Sequence, residues 1–423
     1  MHIYDTELEH PLVDVTLWLP SQPAEQVNDH IWRSRSNSNA HLVASGDGDV
    51  VINTGTPYQG PRHRERFEQA VGRPLRVQKV IFTQSHPDHF GGWQAFDDAG
   101  VERIAQERIF SALEERSRVA KYLSSRRTAA MFSRRTLEGE PVTQPAPGWQ
   151  QGQLPDVHTL VHDGFCFEVG GRRFELLAVP GGETLDSLAV WLPEERTAFT
   201  GNMTFAVPGG LPHLTTIRGD RMRSVVTFLA CLDRVIALEP EVWCNGHGPH
   251  FSGASAVRAA LTKVRDATQY LHDETIKGMN EGKDLFTLMR EIELPPSLAP
   301  AHSRGPARWC VRAIWEEYVG WFRCESMTEL YGVPPSSVWG ELTELAGGPG
   351  VLAEHAASHV ARGEPEQALH FTDMLLSVEP GHRRGREVEI AALEALLERS
   401  GAVDWDDARL LELELRRLRR DHP

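Results

Sequence analysis

Residues 83–92 read Thr-Gln-Ser-His-Pro-Asp-His-Phe-Gly-Gly and directly follow a run of apolar and β-branched residues that is typical of a buried strand. His86, Asp88 and His89 lie within four residues of one another. Pro87 favours extended backbone at His86, so in a turn these three side chains can converge on one point, whereas a regular helix or strand would spread them. Zn²⁺ and Fe²⁺ accept imidazole and carboxylate as ligands. The stretch alone predicts either a metal site at the end of a strand or a polar surface turn.

Strand and helix patterns alternate on both sides of this stretch. Residues 39–56 hold two apolar runs separated by Gly-Asp-Gly, which predicts a β-hairpin, and an amphipathic helix is predicted over 61–72. Residues 102–145 are expected to be helical and charged and to lie over the face that carries the active site. Further strands are predicted at 165–179, 187–193, 196–202 and within EVWCNGHGP (241–249), with a helix near 220–238. We therefore expect an α/β domain over residues 1–255, built as a two-sheet, four-layer αββα sandwich.

Beyond residue 255 the strand patterns disappear. The segment 255–282 is predicted to be helical, and 301–330 carries an aromatic stripe: Trp309, Trp315, Tyr318, Trp321 and Phe322. This stripe is interpreted either as a helix core or dimer seam, or as an apolar wall over the substrate pocket. Helices over 350–420 have the pairing of tetratricopeptide-like units, but about two units are too few for a solenoid. Residues 256–423 are therefore expected to form an all-α assembly domain.

Composition narrows the classes of partner. The chain has 423 residues and a formal net charge of −15, so nucleic acid and anionic membranes are not expected partners. The N-terminal residues lack a basic region followed by an apolar stretch, and no apolar window is long enough for a membrane span. Five cysteines without CxxC spacing argue against a disulfide framework or a thiolate zinc site. A cytoplasmic location is expected.

The stretch 83–92 resembles the signature Thr-His-x-His-x-Asp-His-x-Gly-Gly of the metallo-β-lactamase superfamily. Thr54-Gly55 at the end of the hairpin and the late Asn-Gly-His-Gly-Pro (245–249) occur in the order that this superfamily shows. More closely, the chain resembles the alkyl sulfatases, which join this domain to a helical dimerisation domain. That resemblance is carried by Pro-Gly-Gly-Glu (180–183), Thr-Ile-Arg-Gly (216–219), Tyr-Val-Gly-Trp-Phe (318–322) and Ala-Gly-Gly (346–348). It implies a metallo-β-lactamase fold at 1–255, a dimerisation domain at 256–423 and a homodimer.

The resemblance also implies a set of metal ligands. A first site would comprise Gln84, His86 and Glu183, and a second Asp88, His89 and His247, with Asn202 where a bridging carboxylate usually lies. Gln84 and Asn202 depart from the family pattern, because each is a neutral amide, and an amide oxygen is a poor ligand for Zn²⁺. We therefore expect one tightly bound Zn²⁺ at the second site, with Gln84 and Asn202 as weak ligands or neighbours of ligands. Fe²⁺ is the alternative, since two histidines and one carboxylate also suit non-haem iron.

The resemblance implies a metal-dependent hydrolase that cleaves an ester, with a sulfate ester as one candidate, of a small molecule with an apolar portion. A metal-activated water would attack, Asp88 would orient it, and Arg218 would hold the anionic head. For Arg218 a structural salt bridge with Asp220 or Glu183 stays open. Two other classes also stay open: a mononuclear non-haem iron oxygenase or lyase, and a non-catalytic metal-binding dimer.

Overall fold

The computed structural model describes residues 23–36, 38–125, 156–204, 210–214, 216–217, 219, 221–301, 303–401 and 404–421. The chain divides into two compact units, Met1–Trp315 and Glu316–Pro423. Among the described residues, no helix is both long enough and apolar enough to cross a bilayer.

The first unit holds two mixed β-sheets. One sheet has its strands in chain order: β1 (Glu25–Asn28), β2 (Ile31–Ser34), β3 (Ala40–Val43), β4 (Asp49–Ile52), β5 (Val77–Ile81), β6 (Glu102–Gln106) and β7 (Thr159–Val161). The strands of the other sheet also follow chain order from one edge to the other: β8 (Gly164–Val169), β9 (Arg172–Ala178), β10 (Leu188–Leu192), β11 (Thr197–Phe199), β12 (Val242–Cys244) and β13 (Phe251–Ser252). The hairpin predicted over 39–56 is confirmed, because β3 and β4 pair antiparallel. From β4 to β7 the pairing is parallel.

Helices cover the outer faces of the sheets. Those of the first unit are α1 (Gly60–Val71), α2 (Pro87–Phe90), α3 (Ile109–Arg118), α4 (Ala120–Ser125), α5 (Val225–Ala237), α6 (Ala254–Asn280), α7 (Leu285–Glu291) and α8 (Ala307–Val319), whose last turn passes the division at 315. The predictions of a helix over 61–72 and of one near 220–238 are confirmed by α1 and α5.

Three apolar clusters define the layers. Ile52 and Ile81 of the first sheet pack with Val190 and Phe199 of the second, so the two sheets share one core. Phe67 of α1 belongs to a cluster with residues of the first sheet. Residues of α5 and α6, among them Phe228 and Leu261, pack in a third cluster that includes Trp243 of β12. Helix, sheet, sheet and helix therefore stack as the four-layer αββα sandwich that the sequence predicts.

The prediction that residues 102–145 are helical is wrong at its start. Residues 102–106 form β6, which pairs in parallel with β5 and β7. Ile104 and Ala105 are fully buried, and Lys79 of β5 forms an ion pair with Glu102. Charged side chains at the ends of the strand hide its short buried centre in the sequence pattern. Helices α3 and α4 follow, and the remainder of the predicted excursion, 126–145, lies outside the described residues.

The described α-helices that begin in the second unit are α9 (Trp339–Leu345), α10 (Pro349–Ala361), α11 (Pro365–Val378), α12 (Arg383–Ser400) and α13 (Trp405–Asp421). Small residues let neighbouring helices approach: Ala356, Ala368 and Ala392 meet in one buried cluster.

The division at 315 comes later than the limit predicted at 255, because α6 and α8 contribute their apolar faces to the same core as α5. Trp315 is part of that core, which agrees with the interpretation of the aromatic stripe as a helix core at this position.

Candidate metal centre

The turn after β5 places three candidate ligands at one end of the first sheet. His86 is extended, with φ −73° and ψ 135°, and Pro87 begins the short helix α2. Helix α2 is anchored by Phe90, which is buried and packs edge-on against Phe82, with ring centroids 6.3 Å apart. The change from extended to helical backbone at His86 brings Asp88 and His89 back over the sheet.

His247 reaches the same place from the loop after β12. Asn39 holds this loop: its backbone N–H donates to the Gly246 carbonyl at 2.6 Å, and its side chain donates to the Gly248 carbonyl at 2.8 Å. Gly246 has no room for a side chain, since a Cβ there would lie 2.1 Å from Asn202 Oδ1 and 2.7 Å from His89 Cε1. A glycine is therefore required for His247 to approach His89.

Asp88, His89 and His247 form a group whose possible ligand atoms all lie within 4.8 Å of one another. Asp88 Oδ2 is 3.6 Å from Nε2 of His89 and 3.6 Å from Nε2 of His247. Tetrahedral ligands at about 2.0–2.1 Å from a Zn²⁺ ion are separated by roughly 3.4 Å, so these three groups fit a divalent cation. They offer two imidazole nitrogens and one carboxylate oxygen, the kind of set that leaves a coordination position for substrate.

The electrostatic environment gives His89 and Asp88 the net charges that metal ligation requires. Burial lowers the pKa of His89 to about 4. Burial acts to raise the pKa of Asp88, but the positive charges that the neighbouring rings of His89, His247 and His86 carry when protonated outweigh it and lower that pKa below its ordinary value. At neutral pH the His89 ring is therefore neutral and the Asp88 carboxylate is ionised, as metal ligation requires.

Gln84, His86, Glu183 and Asn202 also meet, but they form a hydrogen-bond network. Gln84 Nε2 and Asn202 Nδ2 both donate to Glu183 Oε2, at 3.0 and 2.6 Å. Gln84 Oε1 accepts from the Asn202 backbone N–H at 3.2 Å, which directs the Gln84 amide nitrogen inward, where it also lies 2.8 Å from His86 Nδ1. The inner side of this set presents N–H groups, which repel a cation. With the two amides oriented in this way the set does not favour a cation, and ligation by His86 and Glu183 stays a prediction.

A second feature, which the sequence reasoning missed, is the cavity beside Glu183. Arg223 lines it together with Glu183, Asn202, His213 and apolar residues, among them Met203, Leu214 and Phe228. The Arg223 side chain is largely buried; it donates to the His213 carbonyl, and its Nη2 lies 4.0 Å from Glu183 Oε1. The clue in the sequence is an arginine just before α5 and close to the Thr-Ile-Arg-Gly run. The predicted anion-binding Arg218 lies outside the described residues.

Comparisons with known proteins agree with this architecture. The sequence profile of the metallo-beta-lactamase superfamily matches residues 33–266, more than half of the chain, so the chain belongs to that superfamily. The alkyl sulfatase dimerisation profile matches residues 287–416. Within the superfamily, the protein is thus a member of the alkyl sulfatase-like branch, which confirms the resemblance seen in the sequence.

Individual relatives lie at low identity. A linear primary-alkylsulfatase of a Pseudomonas species is 25% identical over 382 residues, which cover 86% of this chain and 71% of the relative. An alkyl/aryl-sulfatase of Saccharomyces cerevisiae is 21% identical, with 94% and 67% covered. The solved structure of a stereoselective inverting sec-alkylsulfatase from Pseudomonas shares the fold, with a TM-score of 0.77 at 20% identity over 93% of this chain and 65% of that one. The chain spans about two thirds of the length of these relatives.

Proposed function

We propose that the protein is a metal-dependent hydrolase that cleaves the sulfate ester of a small molecule with an apolar portion. The observation that carries the proposal is the Asp88, His89 and His247 group and its connection to the cavity that contains Arg223. Asn202 lines that cavity, and its amide nitrogen lies 3.1 Å from His247 Nε2. The names of the relatives support sulfate esters as the substrate class. Zn²⁺ is the proposed ion, held by these three side chains as one tightly bound equivalent.

A divalent ion held there supplies Lewis-acid catalysis of ester hydrolysis. The residues of the chain bind and orient the reactants. Asp88 is ionised and about one fifth exposed at its side chain, so its carboxylate can accept a hydrogen bond from the attacking water. Arg223 is proposed to contact the sulfate from the cavity beside Glu183. Arg218 stays a proposed second contact for the anionic head.

Arg223→Ala should raise the KM for an alkyl sulfate about tenfold or more. A charge-assisted hydrogen bond between guanidinium and sulfate contributes roughly 1.5–3 kcal/mol, and the variant loses it. Arg223→Lys keeps the positive charge but cannot form a bidentate hydrogen bond with the sulfate, so we expect an intermediate KM. The measurement is the rate of sulfate release over a range of substrate concentration.

Arg221→Ala is the matched control, since Arg221 is exposed and pairs with Glu115. Its KM should equal that of the unmodified protein. If Arg223→Ala and Arg221→Ala have the same KM, Arg223 does not bind the anionic head.

Hydrolysis itself is tested with linear and branched alkyl sulfates, and with the acetates of the same alcohols as controls. Sulfate release that requires the metal, with little acetate release, is the expected result.

The group of two histidines and one aspartate also suits an iron oxygenase or lyase, the alternative enzyme class. Iron retained after aerobic purification, together with oxygen consumption, would favour that class, whereas bound metal without any turnover would favour a non-catalytic dimer.

We also propose that the protein is a homodimer, formed through the second unit. Between residues 318 and 345, large apolar side chains are exposed, including Trp321 (72%), Tyr331 (68%) and Leu345 (84%). Such a concentration of apolar surface marks an interface, and the matched dimerisation profile supports a second copy of the chain as its partner.

Tyr331→Glu combined with Leu345→Glu should shift the protein from dimer to monomer at micromolar concentration, because two carboxylates would be buried without partners at the interface. Sedimentation velocity is the measurement. Leu160→Glu, which changes a half-exposed leucine of β7 in the first unit, is the control and should leave the dimer intact. A monomeric unmodified protein would contradict the proposal.

A further inference from the structure

Asn53, at the end of β4, contacts the candidate ligand His89 and was not singled out by the sequence. It has a left-handed backbone, with φ 60°, which asparagine and aspartate adopt more readily than most residues. Its side chain is buried and bridges two elements. Oδ1 accepts from the Thr83 backbone N–H at 2.9 Å and from the Thr83 hydroxyl at 3.0 Å, while Nδ2 lies 3.0 Å from His89 Nδ1.

These contacts determine which way the amide points. A backbone N–H can only donate, so the Asn53 carbonyl oxygen must face Thr83, and the amide nitrogen must face His89. The amide nitrogen also only donates. His89 Nδ1 must therefore accept this hydrogen bond, and the single proton of the neutral ring lies on Nε2.

That proton occupies the atom that a metal ion needs. Nε2 is the His89 nitrogen that faces Asp88 Oδ2, and at 3.6 Å the two atoms are too far apart for a hydrogen bond. Nε2 is buried and has no hydrogen-bond partner. Histidines that bind a metal through one nitrogen usually donate the other ring N–H to a carboxylate, a carbonyl or water, whereas His89 Nδ1 faces a donor. When a cation takes Nε2, the displaced proton either moves to Nδ1, against the amide N–H, or leaves for solvent.

We propose that Asn53 is a positioning residue that holds His89 in the Nε2–H tautomer and thereby lowers the affinity of the Asp88, His89 and His247 site for divalent cations. The inference rests on the proposed metal site but not on the proposed reaction. A carboxylate at position 53 would accept from Thr83 with one oxygen and from His89 Nδ1–H with the other, which leaves Nε2 free to bind. Asn53→Asp should therefore bind Zn²⁺ about tenfold or more tightly than the unmodified protein.

Two measurements test this without any enzyme assay. Competition with a chromophoric chelator gives the Zn²⁺ affinity of the full-length protein, and nitrogen-15 NMR of the metal-free protein reports which nitrogen of His89 carries the proton. We expect Nε2–H in the unmodified protein and Nδ1–H in Asn53→Asp. The control is Asn245→Asp, which adds a buried carboxylate near the site but away from His89 Nδ1. In the unmodified protein Asn245 Oδ1 lies 3.4 and 3.3 Å from the hydroxyls of Thr200 and Thr204.

The proposal is supported if Asn53→Asp binds Zn²⁺ more tightly than the unmodified protein and Asn245→Asp does not. It is also supported if Asn53→Asp binds Zn²⁺ and the unmodified protein binds none. An equal gain in Asn245→Asp would show that added negative charge is sufficient, and the proposal would fail. Nδ1–H in the unmodified metal-free protein, or no gain in Asn53→Asp, would also overturn it. Absence of sulfatase activity would contradict the proposed reaction and leave these readouts unaffected.

Discussion

Replacement of His247 with alanine should remove the tightly bound metal ion and the hydrolytic activity with it. His247 belongs to the one group of three possible metal ligands found among the described residues, and its Nε2 lies 3.6 Å from Asp88 Oδ2. Loss of a residue that merely supports a ligand typically lowers metal affinity 10–100-fold, so loss of the ligand itself should lower it about 100-fold or more. Asp88→Ala should have the same effect, because it removes the only anionic ligand of the group.

The measurements are metal content after extensive dialysis and sulfate release at saturating alkyl sulfate. The unmodified protein should retain about one equivalent per chain, and both variants close to none. His250→Ala is the control, since His250 lies three residues further along the same loop and its Nδ1 is 3.5 Å from Glu25 Oε1. This control should retain the metal and the activity. Retention of a full equivalent by His247→Ala would exclude this group as the tight site.

The double exchange Gln84→His with Asn202→Asp should raise the metal content from about one equivalent toward two. In the unmodified protein both amides donate to Glu183 Oε2, and the Asn202 amide nitrogen also lies 3.1 Å from His247 Nε2. The exchange replaces inward N–H groups with an imidazole nitrogen and a carboxylate, which are ligands for Zn²⁺. It also adds an anion between two sites whose cations would otherwise repel each other.

Each single exchange is a control for the double one. Gln84→His keeps the Asn202 donor, and Asn202→Asp places a second carboxylate beside Glu183 without the added imidazole, so neither should hold a second ion tightly. Metal content and Zn²⁺ titration of the four proteins separate these cases. Two tightly held ions in the unmodified protein would show that the amide network opens for a cation, and the model of two unequal sites would be wrong.

The local pattern was sufficient for most of the order of the elements. The hairpin at β3 and β4, helix α1, strand β5 and the turn at His86 follow from side-chain periodicity and from the backbone preferences of glycine and proline, which act over a few residues. The ligand set drew on the resemblance as well, since the distance in the chain between His89 and His247 has no local signature. Strand β6 was missed because its buried centre is only a few residues long.

Contacts between distant parts of the chain were decided only by the tertiary structure. The sequence marked Gln84 and Asn202 as departures from the family pattern, but their donation to one oxygen of Glu183 depends on the meeting of three loops. The approach of Arg223 to Glu183 likewise depends on the packing around α5. A side-chain amide has an oxygen that accepts and a nitrogen that donates, and the partner of one atom decides where the other points. Thr83 donates to the Asn53 oxygen, so the Asn53 nitrogen faces His89. Thr83 and Asn53 become neighbours only when the sheet has formed.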